Sequence, residues 1–424
     1  MFKRPLTVLL GAALALGALA ACSGGEPNTD PSGSNASEVT ITYWHGYSVD
    51  SSEVATLVDQ VIPAFEAAHP GVKVEQVAVP YDDLHQKLVT GVAGGVLPDV
   101  VRSDIIWVPE LADLGVLEPL DVAMSDFSAL AARVYPGPLE TNAWDGHYYG
   151  LPLDTNTLVQ FYNPAVYQAA GVNVPTTTAE LVASAAALKD HGVYAFGEQD
   201  LGGWNVLPWI WSFGGDITNA AVTQASGAID SPASVAAIQW LYDLYKAGDV
   251  PTIITQSGAV QTNDGFAAGE YGMILGGPWM YPIFQGSYPD FAFESALVPA
   301  GPGGSVSVVG GEDIVVTASS PHKAAALDFV RYLLSEEAQR AFAEVGQFSV
   351  LQSLGPDMTS IQPYYSAFVD QLAQAKPRPP TPAWPAMDAA LKAALQEVFL
   401  GDGDIPAALS ALAVELDALL AQYN

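Results

Sequence analysis

Cysteine is almost absent: Cys22 is the single one in 424 residues. A lone thiol excludes a disulfide within one copy and a thiolate metal centre, so stability has to come from buried surface. Positive charge is scarce as well. Fourteen Lys and Arg stand against 46 Asp and Glu, a formal charge of −32. Nucleic acid and other polyanions need a basic surface to displace their counterions, and so few cations cannot provide one. Anionic small ligands are disfavoured on the same ground. Catalytic signatures are missing too: no Gly-x-Ser-x-Gly, His-Glu-x-x-His or Walker loop occurs. Ser320-Pro-His-Lys323 spells Ser-x-x-Lys, but at a helix start and without the companion Ser-Asp-Asn and Lys-Thr-Gly. Asp402-Gly-Asp404 is too short for a calcium loop and reads as a helix cap. A glycosidase needs only two carboxylates that meet in space, and nothing in the sequence singles out a pair. No metal or cofactor is expected, and no internal repeat is visible.

Half of the residues are hydrophobic, enough for more than one core, and a chain of this length predicts two lobes. The one long apolar run, Leu6 to Ala21, follows Lys3 and Arg4 and is shorter than a membrane-spanning helix normally needs. Residues 1–21 therefore read as a secretory signal. Its end, Leu19-Ala20-Ala21-Cys22, resembles a lipobox, which implies cleavage before Cys22 and lipid on its sulfur. A transmembrane anchor with an incidental cysteine is the alternative. Losing Lys3 and Arg4 takes the formal charge from −32 to −34. Residues 22–37, rich in Ser, Gly, Pro, Asn and Asp, read as a flexible tether.

The remainder is organised around Tyr149 to Asn163. Gly150 and Pro152 break the backbone, and Leu158 to Tyr162 has the content of a buried strand, which suits a crossing between lobes. Asp154 and Asn156 alternate with their neighbours, so both point to one side. Upstream, Val39, Ile41 and Tyr43 mark a first strand ending at Trp44 and His45. A helix from about Ser52 to His69 follows, bent at Pro63, then a strand at Val72 to Val79, a helix near Tyr81 to Val92, and a strand from Val100. This order predicts a mainly parallel sheet with helices on both faces. Ligands collect at the carboxyl ends of such strands, where Trp44, His45, Tyr47 and Asp104 fall. Downstream, Thr177 and Glu180 form a capping box, Ser231-Pro232 opens a helix that Gly248 closes, and Trp279 stands in a Gly-rich turn. Ser307 to Thr317 reads as a strand, and two helices follow Trp384.

Several phrases resemble the family 1 solute-binding proteins of bacterial ABC transporters: the Gly150-x-Pro152 hinge with Tyr162-Asn163, Glu110 to Leu120, Phe266 to Trp279, and residues 321–339. The resemblance implies a two-lobed, periplasmic-binding-protein-like α/β fold of type II, with residues 38–151 and 309–348 in lobe 1 and residues 152–308 and 349–424 in lobe 2. Further crossings fall near Val308 to Glu312 and Gly346 to Leu351. It also implies a monomeric, lipid-anchored extracytoplasmic receptor that binds a carbohydrate, of di- or oligosaccharide size, and hands it to an ABC permease.

Sugars offer hydroxyl edges and weakly polar C–H faces, so a receptor needs stacking aromatics beside Asp, Asn and Glu. The candidates are Trp44, His45, Tyr47 and Asp104, with Arg102 beside them; Asp154 and Asn156 at the hinge; Trp204 and Trp279; and Gly311 and Glu312 at the second crossing. Ordinary structural roles compete with each. Trp209 or Trp384 would extend the second-lobe set, while Trp107, Trp209 and Trp211 equally suit a core, and His45 a packed strand end. Asp154 and Asn156 suit hinge amides, Asp104 a helix cap, and Arg102 a partner among the many acids. A polyamine is the alternative ligand class, favoured by acids and tryptophans together.

Overall fold

The computed structural model describes residues 38–424 apart from 50, 256–261, 402 and 424. The expected signal, Cys22 and the tether lie outside the described residues. β1 (Val39–His45), β2 (Val72–Ala78) and β3 (Val100–Asp104) run parallel with β1 in the middle, as strand–helix–strand spacing requires. The helix between β1 and β2 spans residues 52–68 and widens into a π-turn at Leu57–Val61, just before Pro63. Proline has no amide hydrogen and its ring crowds the preceding turn, and the extra residue per turn absorbs the conflict.

A small hairpin of β4 (Ala143–Trp144) and β5 (His147–Tyr148) leads into β6 (Gly150–Thr157) and β7 (Val159–Tyr162). Then come β8 (Tyr194–Gly197), β9 (Tyr271–Gly276), β10 (Glu294–Ala296), β11 (Ser307–Val316), β12 (Phe348–Ser349) and β13 (Ala375–Pro377). Two principal sheets result. The larger has the order β12-β6-β11-β3-β1-β2, with β13 also on β11, and the smaller is β10-β7-β9-β8. Each is the centre of a lobe, and the α/β class expected from the sequence is present. The sheets are mixed rather than mainly parallel: β11 opposes β3 and β6, and β7 opposes β9 and β10. Strands that return from the other lobe run against those that leave it.

Placement of the crossings follows from local chemistry. β6 stays in the large sheet to Thr157 and is buried throughout, so the chain changes sheet at Leu158, not at Gly150–Pro152. Pro152 is accommodated because it faces Asp313 beside a shift of register, where a ladder can spare a donor. β11 already pairs with β6 and β13 at its first residues, so its crossing precedes Val308. Ser307 donates to the Leu158 carbonyl at 2.7 Å and ties these two crossings together. Leu351 and Leu354 pack with the large sheet and Met358 with the other lobe, which puts the third passage after Leu354.

Alternation sets the cores. Val100, Ile314 and Val316 enter one cluster with Tyr43, Leu151 and Phe329, while Val101 and Val315 enter another with Leu84 and Trp107 on the opposite face. The second lobe buries Phe196, Trp209 and Trp384 under the C-terminal helices Trp384–Leu400 and Ile405–Leu420. Asp404 caps the last helix through the Ala407 amide at 3.1 Å. Trp209, Trp211, Trp384 and Trp107 are thus all core.

Gly311 has φ +136°, and a Cβ there would lie 2.4 Å from the Asp154 carbonyl oxygen. Gly311→Ala is expected to destabilise by roughly 2 kcal/mol or more. Gly286→Ala, in open space within a helix, should be neutral or stabilising by up to about 1 kcal/mol. Urea midpoints check both, and an unshifted midpoint for the first would contradict the assignment.

Candidate ligand-binding site

Three neighbouring strands of the large sheet place three acids abreast. Glu312 on β11 pairs directly with Asp104 on β3 and with Asp154 on β6. Directly opposed residues of antiparallel strands share a face. The register shift at Glu312/Asp313 leaves Leu153 without an opposite residue, so Asp154 comes level with Glu312. Asp313 turns the other way and accepts from Asn142 at 2.7 Å and from Thr141 at 3.1 Å.

Arg102, two residues before Asp104 and only 6 % exposed, lies among them. Its Nη2 is 3.0 Å from Asp154 and 2.7 Å from Glu312, and donates to Gln347 Oε1 at 3.0 Å. Gln347 in turn donates to Glu53 at 3.1 Å. Burial works against the guanidinium, but Asp154 and Glu312 outweigh it and hold Arg102 firmly charged. Burial, opposed by Arg102 and then aided by the Asp154 carboxylate, pushes Glu312 well above the usual carboxyl range.

A second guanidinium completes the floor. Arg378 donates to Asp104 at 3.2 Å and sits 5.0 Å from the centre of the Trp204 ring, while the Tyr81 hydroxyl donates to the other Asp104 oxygen. The sequence reading passed over Arg378, Tyr81 and Gln347. Arg378 had a signal, since Pro377, Pro379 and Pro380 around it stiffen an otherwise irregular segment.

Asn156 faces Gly310, and the Trp204 ring covers that glycine. Trp279 stacks on Trp204 with centroids 6.4 Å apart and planes 29° off parallel. Gly346, from the segment leading into β12, abuts Trp279 and Pro282 of the other lobe. Asn156 Oδ1, Arg102 Nε and Arg378 Nε are buried with no partner. Such groups cost free energy unless something bonds them.

The other candidates serve differently. Trp44 alternates to the opposite face and packs with the cluster of Val101 and Leu84. His45 is fully buried, bonds Gln76 at 2.7 Å and tilts against Tyr47. Burial pushes its pKa down to about 4, so it is a neutral packing histidine. Tyr47 lies 4.1 Å beneath the Arg102 guanidinium and stacks on Phe342, supporting the floor from behind. Gly311 contributes backbone shape. Asp104, Asp154, Asn156, Trp204, Trp279 and Glu312 are brought together.

Two α/β lobes whose strands cross at a seam, with stacked indoles and unpartnered polar atoms there, define a hinged binding protein. The chain belongs to the bacterial extracellular solute-binding proteins, whose family model matches residues 50–340. A putative binding protein of Brucella abortus is 26% identical over 386 residues, covering 87% of this chain and 91% of that one. A receptor of Streptomyces glaucescens, solved unliganded and with acarbose, superposes with a TM-score of 0.82 at 25% identity, over 91% of this chain and 100% of its own. An ABC transporter solute-binding protein of Thermotoga lettingae, solved with α-D-tagatose, gives 0.81 at 27% identity, over 90% and 100%.

Glu198, next to the helix Gly203–Ser212 that carries Trp204, accepts from Asn205 at 2.6 Å and from the Gln199 amide at 2.8 Å. Burial pushes its carboxyl up to about 8. The folded state then keeps a proton that the unfolded state releases near pH 4.5, so stability falls as pH rises toward 8. The neutral His45 acts oppositely, but only below about 6.5. Between pH 6.5 and 8 the melting temperature of Glu198→Gln should fall less steeply than that of the parent; equal slopes would reject this account.

Proposed function

We propose that this chain is an extracytoplasmic receptor that closes around a carbohydrate, of di- or oligosaccharide size, and delivers it to an ABC importer. The observation that carries the reading is the Trp204–Trp279 pair beside three buried, unpartnered hydrogen-bonding atoms. Indole faces suit the C–H faces of a pyranose, and Asn156 Oδ1, Arg102 Nε and Arg378 Nε suit its hydroxyls. The sugars in the Streptomyces and Thermotoga structures support the same class. Leu19 to Cys22 supports anchoring to the membrane by lipid on Cys22, and the receptor is proposed to act as a monomer.

Charge pairing weighs against the alternatives. Asp154 and Glu312 share the Arg102 guanidinium and Asp104 holds Arg378, so the floor carries cations of its own beside its acids, which weighs against a polyamine. The same pairing leaves neither carboxylate of a glycosidase pair free to activate water. An anion meets guanidiniums already engaged by acids. The function is capture and release: ligand bonds both lobes only when they meet, so its binding energy shifts the population to the closed form that the permease would recognise.

Residues 23–424 should melt higher with a cognate sugar, by about 2.7 kcal/mol of added stability at a hundredfold excess over Kd. A panel of maltose, cellobiose, trehalose and maltotriose against spermidine makes the comparison. Trp279→Ala and Asn156→Ala should each lose most of the shift and leave unliganded melting nearly unchanged. A response to spermidine alone, or full shifts in both variants, would sink the proposal.

A further inference from the structure

We propose that Gly310 is a positioning residue whose missing side chain sets where the Trp204 indole and the Asn156 amide stand relative to each other; this rests on the carbohydrate reading of the site. Gly310 and Gly311 are adjacent but glycine for different reasons. Gly311 needs its left-handed φ, whereas Gly310 has no such requirement and its conformation is open to any residue. What glycine supplies at 310 is room. A Cβ there would lie 2.3 Å from Asn156 Oδ1, 2.5 Å from Trp204 Cη2 and 2.6 Å from Trp204 Cζ3. All three distances are far inside van der Waals contact, so one methyl displaces both groups at once.

Neither group has an easy retreat. Asn156 lies on β6 opposite Gly310 itself, within a strand buried throughout. Trp204 belongs to a helix held at its start, where the Gly203 amide donates to Asp388 at 2.5 Å and a Cβ on Gly203 would lie 2.9 Å from the buried Trp384 ring. Arg378 and Trp279 take up space around the indole. A shifted indole therefore disturbs the stack with Trp279 and the contact with Arg378 together.

The chemical consequence concerns one sugar ring. With no side chain at 310, the edge of the indole and the unpartnered Asn156 oxygen are immediate neighbours. A hexopyranose then lays its C–H face on the indole and donates an equatorial hydroxyl to Asn156 from the same pose. Separating the two by the width of a methyl leaves either the stack or the hydrogen bond unmade.

The test uses Gly310→Ala, Trp204→Leu and the double variant in residues 23–424, titrated calorimetrically with maltose, cellobiose, trehalose and maltotriose. For whichever sugar binds the parent, Gly310→Ala should weaken Kd at least about tenfold and, as overpacking, lower unliganded melting as well. In the Trp204→Leu background, adding Gly310→Ala should cost measurably less than in the parent, because the ring's share of the clash is gone while the share of Asn156 remains. An unchanged Kd, or the same penalty in both backgrounds, overturns the proposal. Should Gly310→Ala fail to fold, the double variant should restore folding, and its failure to do so overturns the proposal as well. The indole N–H resonance of Trp204, identified by its loss in Trp204→Leu, supplies a readout that needs no sugar: it should move in Gly310→Ala, and a fixed resonance rejects the positioning role. If no sugar binds the parent, the carbohydrate reading falls and that resonance still decides the role of Gly310.

Discussion

The buried guanidinium of Arg102 organises this molecule. Arg102 lies where three strands of the large sheet meet, and the acids it neutralises come from strands separated in sequence by some of the longest excursions of the chain. Without it, Asp154 and Glu312 would stand side by side out of water with no cation between them, and removing one partner of a buried ion pair typically costs roughly 3–5 kcal/mol. Its contact with Gln347, and that residue's with Glu53, reaches the segment before β12 and the first helix after β1. The floor of the site is thereby held by the same bonds that hold the strand order.

Around that floor, shape is set by what is left out. Gly310 leaves room for the indole, Gly311 permits a backbone turn that brings β11 close to β6, and Gly346 lets one lobe touch Trp279 of the other. The bulge at Leu153 raises Asp154 into line with Glu312. These devices act within a few residues of the crossings. The seam is where the chain passes between the two sheets, and irregular backbone re-aims side chains there.

Local chemistry was legible from the sequence wherever it decided the outcome. Strand alternation in Val39 to Trp44 and the caps at Thr177, Ser231 and Asp404 follow from short-range rules, while the irregularity expected at Pro63 takes the form of a π-turn before it rather than a bend. Long-range placement was legible only in part. Asp154 and Asn156 were read as facing one side of β6, yet the partners that give them meaning, Arg102 and Gly310, depend on a register that no local pattern encodes. Trp44 shows the limit of the strand-end argument. It sits at the carboxyl end of β1 as expected, but the period of two sends it to the helix-covered face while its neighbour His45 packs behind Tyr47. Arg378 is the converse: an isolated cation in a Pro-rich segment, whose role appears only when β13 joins β11 and brings it to Asp104.

The unpartnered atoms at the seam explain why a hinge is needed at all. A buried donor or acceptor without a partner costs about 1–3 kcal/mol. Asn156 Oδ1, Arg102 Nε and Arg378 Nε together therefore tax any closed state that lacks a ligand. On the proposed hinge closure, opening the lobes returns them to water and removes the cost, and a polyhydroxylated guest removes it as well, by bonding them in place. The guest's advantage in the closed state is then its own contacts plus the relief of that penalty, which the open state does not feel. Each 1.4 kcal/mol of that difference moves the open–closed ratio about tenfold. A receptor that must report occupancy through its shape gains contrast from groups left unsatisfied on purpose, and an apolar seam of equal area would close whether or not anything was inside.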